Sequence, residues 1–270
     1  MDALAARRPI PEGLAKAINE ICVAVHRQDS RLWIDAEQQT LQVGLDDWAI
    51  EIMRNHNRES IPLVYNTIQA YLKGSKANID RHCVLAAHEG WSLGIKLVRG
   101  AYIEHEKRSL IHDTKEDTDA SYDLIANNML CRRMPEHAKH MAFPKVALFL
   151  ATHNAESAAK AISTHQARQL GKQETAMLEC GQIQGMADEL SCELAQSHAR
   201  ALNRSPAPVS MLPPKAFKCL TWGSVAECMG YMHRRVIENQ GAVERTQPTV
   251  DSLWKEIRRR VLARFSGSRE

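Results

Sequence analysis

Along the chain, short apolar runs rich in β-branched residues alternate with longer stretches of helical periodicity. "RLWID" (31–35), "PLVYNTIQAY" (62–71), "GIKLVRG" (94–100), "KVALFLATH" (145–153), "TAMLECG" (175–181) and "FKCLTWG" (217–223) have the composition and length of strands. Between them, "DDWAIEIMRNH", "NIDRHCVLAAHEG", "ASYDLIANNMLCRRM", "AESAAKAISTHQARQLG" and "MADELSCELAQSHARAL" read as amphipathic helices. Gly90 and Gly171 stand where two of these helices should stop. Alternation of this kind builds a parallel sheet covered by helices.

An open doubly wound sheet and a (β/α)8 barrel both satisfy that order. Polar residues recur at the C-terminal ends of the runs: Asp35, Gln69, Lys96, Arg99, His153 and Gln182. In a barrel every strand end converges on one mouth, whereas an open sheet gathers only the strands at its switch point. The barrel is therefore the better reading. Only six strands are found where eight are needed, and the residues before Arg31, "EGLAKAINEICVAVHRQ", are helical in pattern. The expected fold is a TIM-barrel-like α/β domain that is incomplete, its first two strands not found. Residues 1–30 should form an N-terminal helical segment, 31–244 the barrel and 245–270 a C-terminal amphipathic helix. "SPAPVSMLPPK" (205–215) reads as a proline-rich loop, and a long helix should run from Ser224 to about Glu244.

Composition narrows the function. With 270 residues, 44% of them hydrophobic, the chain can bury a sizeable core. A net charge of +3 is too small and too scattered for a nucleic-acid footprint. Seven cysteines without a CxxC pair oppose both a disulfide framework and a zinc ribbon, and point to a reducing compartment. His137 and His140 make only an HxxH, so no metal site is expected. The sequence has no apolar run long enough to span a bilayer. Its start carries Arg7 and Arg8 with acids and a proline but no apolar core, which is neither a secretory signal nor a good mitochondrial transit peptide. In the final helix Leu253, Ile257, Val261 and Phe265 recur at four-residue steps opposite a basic face. Such a helix docks on the body or lies on a membrane surface.

Five stretches carry candidate chemistry. In "GIKLVRGAY", Lys96 and Arg99 end a strand and Gly100 and Ala101 follow, a place where a phosphate or flat ring can approach the backbone; an ordinary basic turn has the same pattern. In "LATHN", Thr152 and His153 follow a strand, and the histidine suits a phosphate contact, a base or a structural role. Asp35 suits orienting a ligand amine and equally suits capping the next helix. Gln69, in apolar surroundings, must face a ligand or a polar neighbour. In the last long helix Tyr231, Arg234, Arg235 and Glu238 share a face, while Val225, Cys228, Met232 and Val236 form an apolar stripe. Two guanidinium forks under a tyrosine match a small carboxylate, although taken alone that face reads as solvated surface.

Taken together, "IDAEQ", "NTIQAYL", "KLVRGAY", "ATHN", "GQIQGM" and "YMHRRVIEN" resemble, in order, the motifs of the proline dehydrogenase (proline oxidase) family, most of all its eukaryotic and fungal forms. The resemblance runs from about Leu32 to about Asn239. It implies a distorted (β/α)8 barrel that binds FAD, oxidises L-proline to Δ1-pyrroline-5-carboxylate and passes electrons to a quinone, in the mitochondrion. It implies Asp35 and Lys96 as catalytic residues, and Ala36, Gln69, Lys96, Arg99, Gly100, Ala101, Thr152 and His153 along the FAD. Tyr231, Arg234 and Arg235 would hold the substrate. The family has two strands before the "IDAEQ" strand that nothing before Arg31 matches, and Cys219 stands where many members have tyrosine. The alternatives are a shortened, inactive form acting as a binding module, and a class I aldolase-like barrel using Lys96 as a Schiff base.

Overall fold

The computed structural model describes residues 1–204, 212–238, 250 and 253–262. Two helices come first, α1 (Asp2–Ala5) and α2 (Glu12–Arg27). Strands and helices then alternate: β1 (Leu32–Ile34), α3 (Gln39–His56), β2 (Val64–Gln69), α4 (Ser75–Glu89), β3 (Leu93–Val98) and α5 (Lys115–Leu130). They continue with β4 (Val146–Ala151), α6 (Ala155–Leu170), β5 (Met177–Ile183), α7 (Asp188–Arg204), β6 (Lys215–Cys219) and α8 (Val225–Glu238). Residues 253–262 are helical. All six strands are parallel and lie in sequence order, each beside its predecessor.

This sheet is curled. The Trp33 ring of β1 lies 5.4 Å from Phe149 of β4, and Phe149 lies 5.7 Å from Phe217 of β6. In a flat sheet β1 and β4 would stand about 14 Å apart. The architecture is thus an open part-barrel of the TIM type, with β1 and β6 as edges among the described residues. Alternation along each strand divides the core in two. Val64, Ile68, Ile95, Leu97, Leu148 and Cys180 face outward against the helices, while Trp33, Tyr65, Ala147, Phe149, Met177 and Phe217 fill the interior.

Local chemistry sets several boundaries. Gly90 ends α4 with φ of 72°, the left-handed conformation that glycine adopts without steric cost. At the end of α6 the left-handed residue is instead Lys172, with φ of 54°, one position past Gly171. Thr114 caps α5 through a reciprocal pair of bonds with Asp117, and Asn154 caps α6. The last strand is shifted from its expected place: it begins at Lys215, and residues 220–223 form the turn into α8. Most of the expected proline-rich loop, and the expected extension of α8 to Glu244, lie outside the described residues. Asn57 joins three elements: its side chain donates to the carbonyls of Val64 (2.8 Å) and Ser92 (2.9 Å) and accepts from the Val64 N–H at 2.8 Å. No helix among the described residues is long and apolar enough to cross a membrane.

Candidate active site

The C-terminal ends of the strands open on one mouth, and two expected residues meet there. Lys96 Nζ donates to Asp35 Oδ1 at 2.5 Å. The register places Lys96 beside Thr67, with Asp35 one residue past the end of β1. The two backbones are two strand spacings apart, roughly 9.6 Å, a gap that the lysine stem spans. The lysine is 22% exposed and the carboxylate 79%, so the pair presents its anionic end to solvent. Asp35 does not cap α3, whose N-cap is Gln38.

Two loops are tied together beside this pair. Gln69, 4% exposed, donates through Nε2 to the Glu37 carbonyl at 2.9 Å, which is the polar neighbour its burial requires. Tyr102 OH donates to Glu37 Oε2 (3.1 Å) and to the Ala36 carbonyl (3.4 Å), and the Gln39 N–H donates to Glu106 Oε1 at 2.6 Å. The loop after β3 is thereby strapped to the loop after β1. Its first residues, Gly100 and Ala101, are exposed. Gly100 has φ of 139°, and a Cβ there would lie 2.2 Å from the Tyr71 ring, so close packing of that ring already demands glycine.

Arg99 is engaged on all sides. It donates to Asp119 (2.6 Å), Thr152 Oγ1 (2.7 Å) and Ser157 Oγ (2.9 Å), with its guanidinium 4.5 Å from the centre of the Tyr122 ring. Burial disfavours ionised Asp119, but hydrogen bonds from Lys115 and Arg99 outweigh it and hold the carboxyl below its usual range. Thr152 also accepts the Asn154 N–H. His153, exposed at the mouth, accepts the Ile183 N–H at 3.1 Å. On α8, the Arg235 guanidinium lies 5.2 Å from the Tyr231 ring centre; the side chain of Arg234 lies outside the described residues. Of the apolar stripe of α8, Val225 and Met232 are exposed and Cys228 is half-buried, while the side chain of Val236 lies outside the described residues.

At the opposite end of the interior stands a charged pair that sequence reasoning did not single out. Arg31 donates through Nη2 to Glu179 Oε1 at 3.0 Å and through Nη1 to Glu179 Oε2 and to Tyr65 OH (3.2 Å). The guanidinium lies 5.4 to 5.8 Å from the ring centres of Phe217, Trp33 and Tyr65. Burial works against its charge, but the hydrogen bonds to Glu179 and Tyr65 prevail and raise its affinity for the proton. Burial pushes the Tyr65 phenol up to about 12. The available signal was a charge at an alternating position inside two apolar runs, Arg31 before "LWI" and Glu179 within "MLECG".

A flavin needs a flat approach to the backbone beside a fixed cation. Exposed Gly100 and Ala101 next to the inward-facing Lys96, with His153 on a neighbouring strand end, fit that requirement.

The proline dehydrogenase family profile matches residues 4–247. The chain is 30% identical over 239 residues to "Proline dehydrogenase 1, mitochondrial" of Caenorhabditis elegans, covering 86% of this chain and 35% of that protein. It is 30% identical over 252 residues to "Probable proline dehydrogenase, mitochondrial" of Schizosaccharomyces pombe, covering 90% and 49%. Equal identity to worm and yeast proteins marks the family and singles out no fungal branch. The chain spans about a third to a half of the length of these curated relatives. A crystal structure of a bifunctional proline utilization A protein superposes with a TM-score of 0.67 at 22% identity, over 87% of this chain and 22% of that one, which bears on the fold. Curled parallel sheet, paired Asp35 and Lys96 at its mouth, and a profile match over nearly the whole sequence lead to one conclusion: the chain belongs to the proline dehydrogenase family.

Proposed function

We propose that the chain oxidises L-proline to Δ1-pyrroline-5-carboxylate with FAD as cofactor and a quinone as final acceptor. The observation that carries this reading is the Asp35–Lys96 pair on the inner face at the mouth, in a chain of this family. FAD, when bound, supplies the two-electron oxidant. The chain's own residues bind and orient. Lys96 and the exposed Gly100–Ala101 turn offer a cation and a flat surface to the cofactor, with Ala36, Gln69, Arg99, Thr152 and His153 shaping the surrounding wall. Asp35, the solvent-facing member of its pair, orients the substrate ammonium. Arg234 and Arg235 grip the substrate carboxylate, with Tyr231 against the ring. Orientation of this kind is where an enzyme without a nucleophile gains most of its rate.

In this reading the protein works in the mitochondrion, as the worm and yeast relatives' names place those proteins. Exposed Leu253, Ile257 and Val261, beside Arg258 and Arg259, suit contact with the membrane surface where a quinone resides. The test is an absorbance scan of the purified protein followed by anaerobic titration with L-proline. A flavin band that bleaches on titration is the expected result, and a folded, colourless protein that takes up no added FAD refutes it. A second reading, ligand binding without turnover, is favoured by the open edges at β1 and β6 among the described residues. It predicts a flavin band that L-proline perturbs without bleaching.

A further inference from the structure

β1 is the shortest strand of the sheet, and the Asp35 carboxylate lies one residue past its end. It has three residues, one neighbouring strand and three register pairs, whereas strands usually run five or six residues. A strand with so little pairing is free to slip, and a slip of one residue would turn Asp35 away from the interior. At the end of β1 the Ile34 carbonyl accepts from Thr67 Oγ1 at 2.7 Å, and beyond it the Glu37 carbonyl accepts from Gln69. Those bonds restrain the departing chain. At the leading end the Leu32 N–H donates to the Leu63 carbonyl at 2.8 Å, and Arg31 adds the side-chain restraint.

Arg31, Trp33 and Asp35 alternate, so all three belong to the inner face. Arg31 crosses the interior to Glu179 on β5, 148 residues away in sequence. The two side chains are 18% and 8% exposed. Space for this crossing is built in. A Cβ on Gly94 would lie 2.4 Å from the Val64 carbonyl and 2.8 Å from the Tyr65 ring, so this glycine lets Tyr65, one of the three rings around the guanidinium, pack there. If β1 slipped by one residue, Arg31 would leave Glu179 and strand a buried carboxylate without its cation. Specifying register is the best-attested use of buried charge.

We propose that Arg31 is a positioning residue for Asp35: its fork, closed on Glu179, fixes the register of β1 and so holds the Asp35 carboxylate against Lys96. This holds whatever the mouth binds, so its test needs neither flavin nor substrate. Three variants of the full chain are compared: Arg31→Met, Glu179→Gln and the double Arg31→Met/Glu179→Met. Two quantities are read, the melting midpoint and the rate of Lys96 acetylation by mass spectrometry, well below each midpoint and relative to exposed Lys172.

Each single variant lowers the midpoint and raises Lys96 acetylation up to about fivefold, the scale of one exposed ion pair. The double variant, which leaves no buried charge unpaired, recovers most of the midpoint but none of the protection at Lys96. Recovery of both together would show that the pair only stabilises, and unchanged acetylation in the folded variants would equally overturn the proposal. Should Arg31→Met not fold, Glu179→Gln and the double variant carry the same test.

Discussion

Gly100→Ala perturbs the site at a single carbon, and its cost can be worked from two separate effects. The backbone at Gly100 has φ of 139°, outside the range that L side chains adopt, and holding alanine there costs about 1–3 kcal/mol. The new Cβ would also meet Tyr71 Cδ1 at 2.2 Å and Cε1 at 2.3 Å, where carbon atoms ordinarily rest about 3.5–4.0 Å apart. Tyr71 cannot yield easily. It is 2% exposed, packs with Leu72 and Ile111, donates its N–H to the Arg99 carbonyl and accepts the His112 N–H. Overpacking of this kind adds about 1–3 kcal/mol. The sum, about 2–6 kcal/mol, should lower the melting midpoint by about 5–20 °C in a chain of this size. A double-mutant cycle with Tyr71→Leu separates the two effects. In the leucine background the ring is gone, and the cost of Gly100→Ala should fall to the backbone part, about 1–3 kcal/mol. An equal cost in both backgrounds would refute the argument that Tyr71 dictates this glycine.

Three further outcomes are expected. Asn57→Ala removes three hydrogen bonds at a fully buried side chain and should cost about 2–4 kcal/mol by urea denaturation, a loss under 1 kcal/mol contradicting its bridging role. His82 is fully buried against Asn66 and the Asn78 carbonyl, and burial lowers its pKa from the usual 6.5. A base depressed in the folded state leaves stability intact above 6.5 and weakens it below, because only the unfolded chain takes the proton. The urea midpoint should therefore fall between pH 7.5 and pH 5.5, and His82→Gln should flatten that fall; an unchanged slope would assign the effect to other groups. If the proposed clamp is right, Arg235→Met raises the KM for L-proline about 10- to 100-fold while flavin content holds. Equal loss of both would make the arginine structural.

The barrel was legible because its evidence is local. Each strand is a short apolar run and each helix a periodic one, so all six strands fall within a few residues of their expected places. The exceptions have local causes too. β6 was placed late because "LTWG" continues an apolar pattern into what is a turn, and Gly171 concealed a left-handed residue at Lys172. Asp35, Lys96, Gln69 and Thr152 stand out in the sequence as polar residues at apolar strand ends, and the structure places each within two residues of such an end. Tyr102, Glu37 and Glu106 were not, since a loop-to-loop strap leaves no periodic trace.

The pairing of Arg31 with Glu179 shows where local reading must stop. Each charge in isolation looks like a strand boundary or a stray surface residue, and no spacing rule joins positions so far apart. Curvature joins them. Once the sheet curls enough to bring Trp33 against Phe149, the inner face of β1 looks across at β5, and a charge on one requires an opposite charge on the other. The same curl that gathers the strand ends into a mouth also creates a low-dielectric interior beneath it. Lys96 at the mouth has a partner open to solvent, whereas Arg31 below it has one 8% exposed. The exposed pair costs little to rearrange; the buried pair is costly to break and is suited to fixing where β1 lies. In an open barrel with a three-residue edge strand, geometry at the mouth therefore depends on charge pairing at the base.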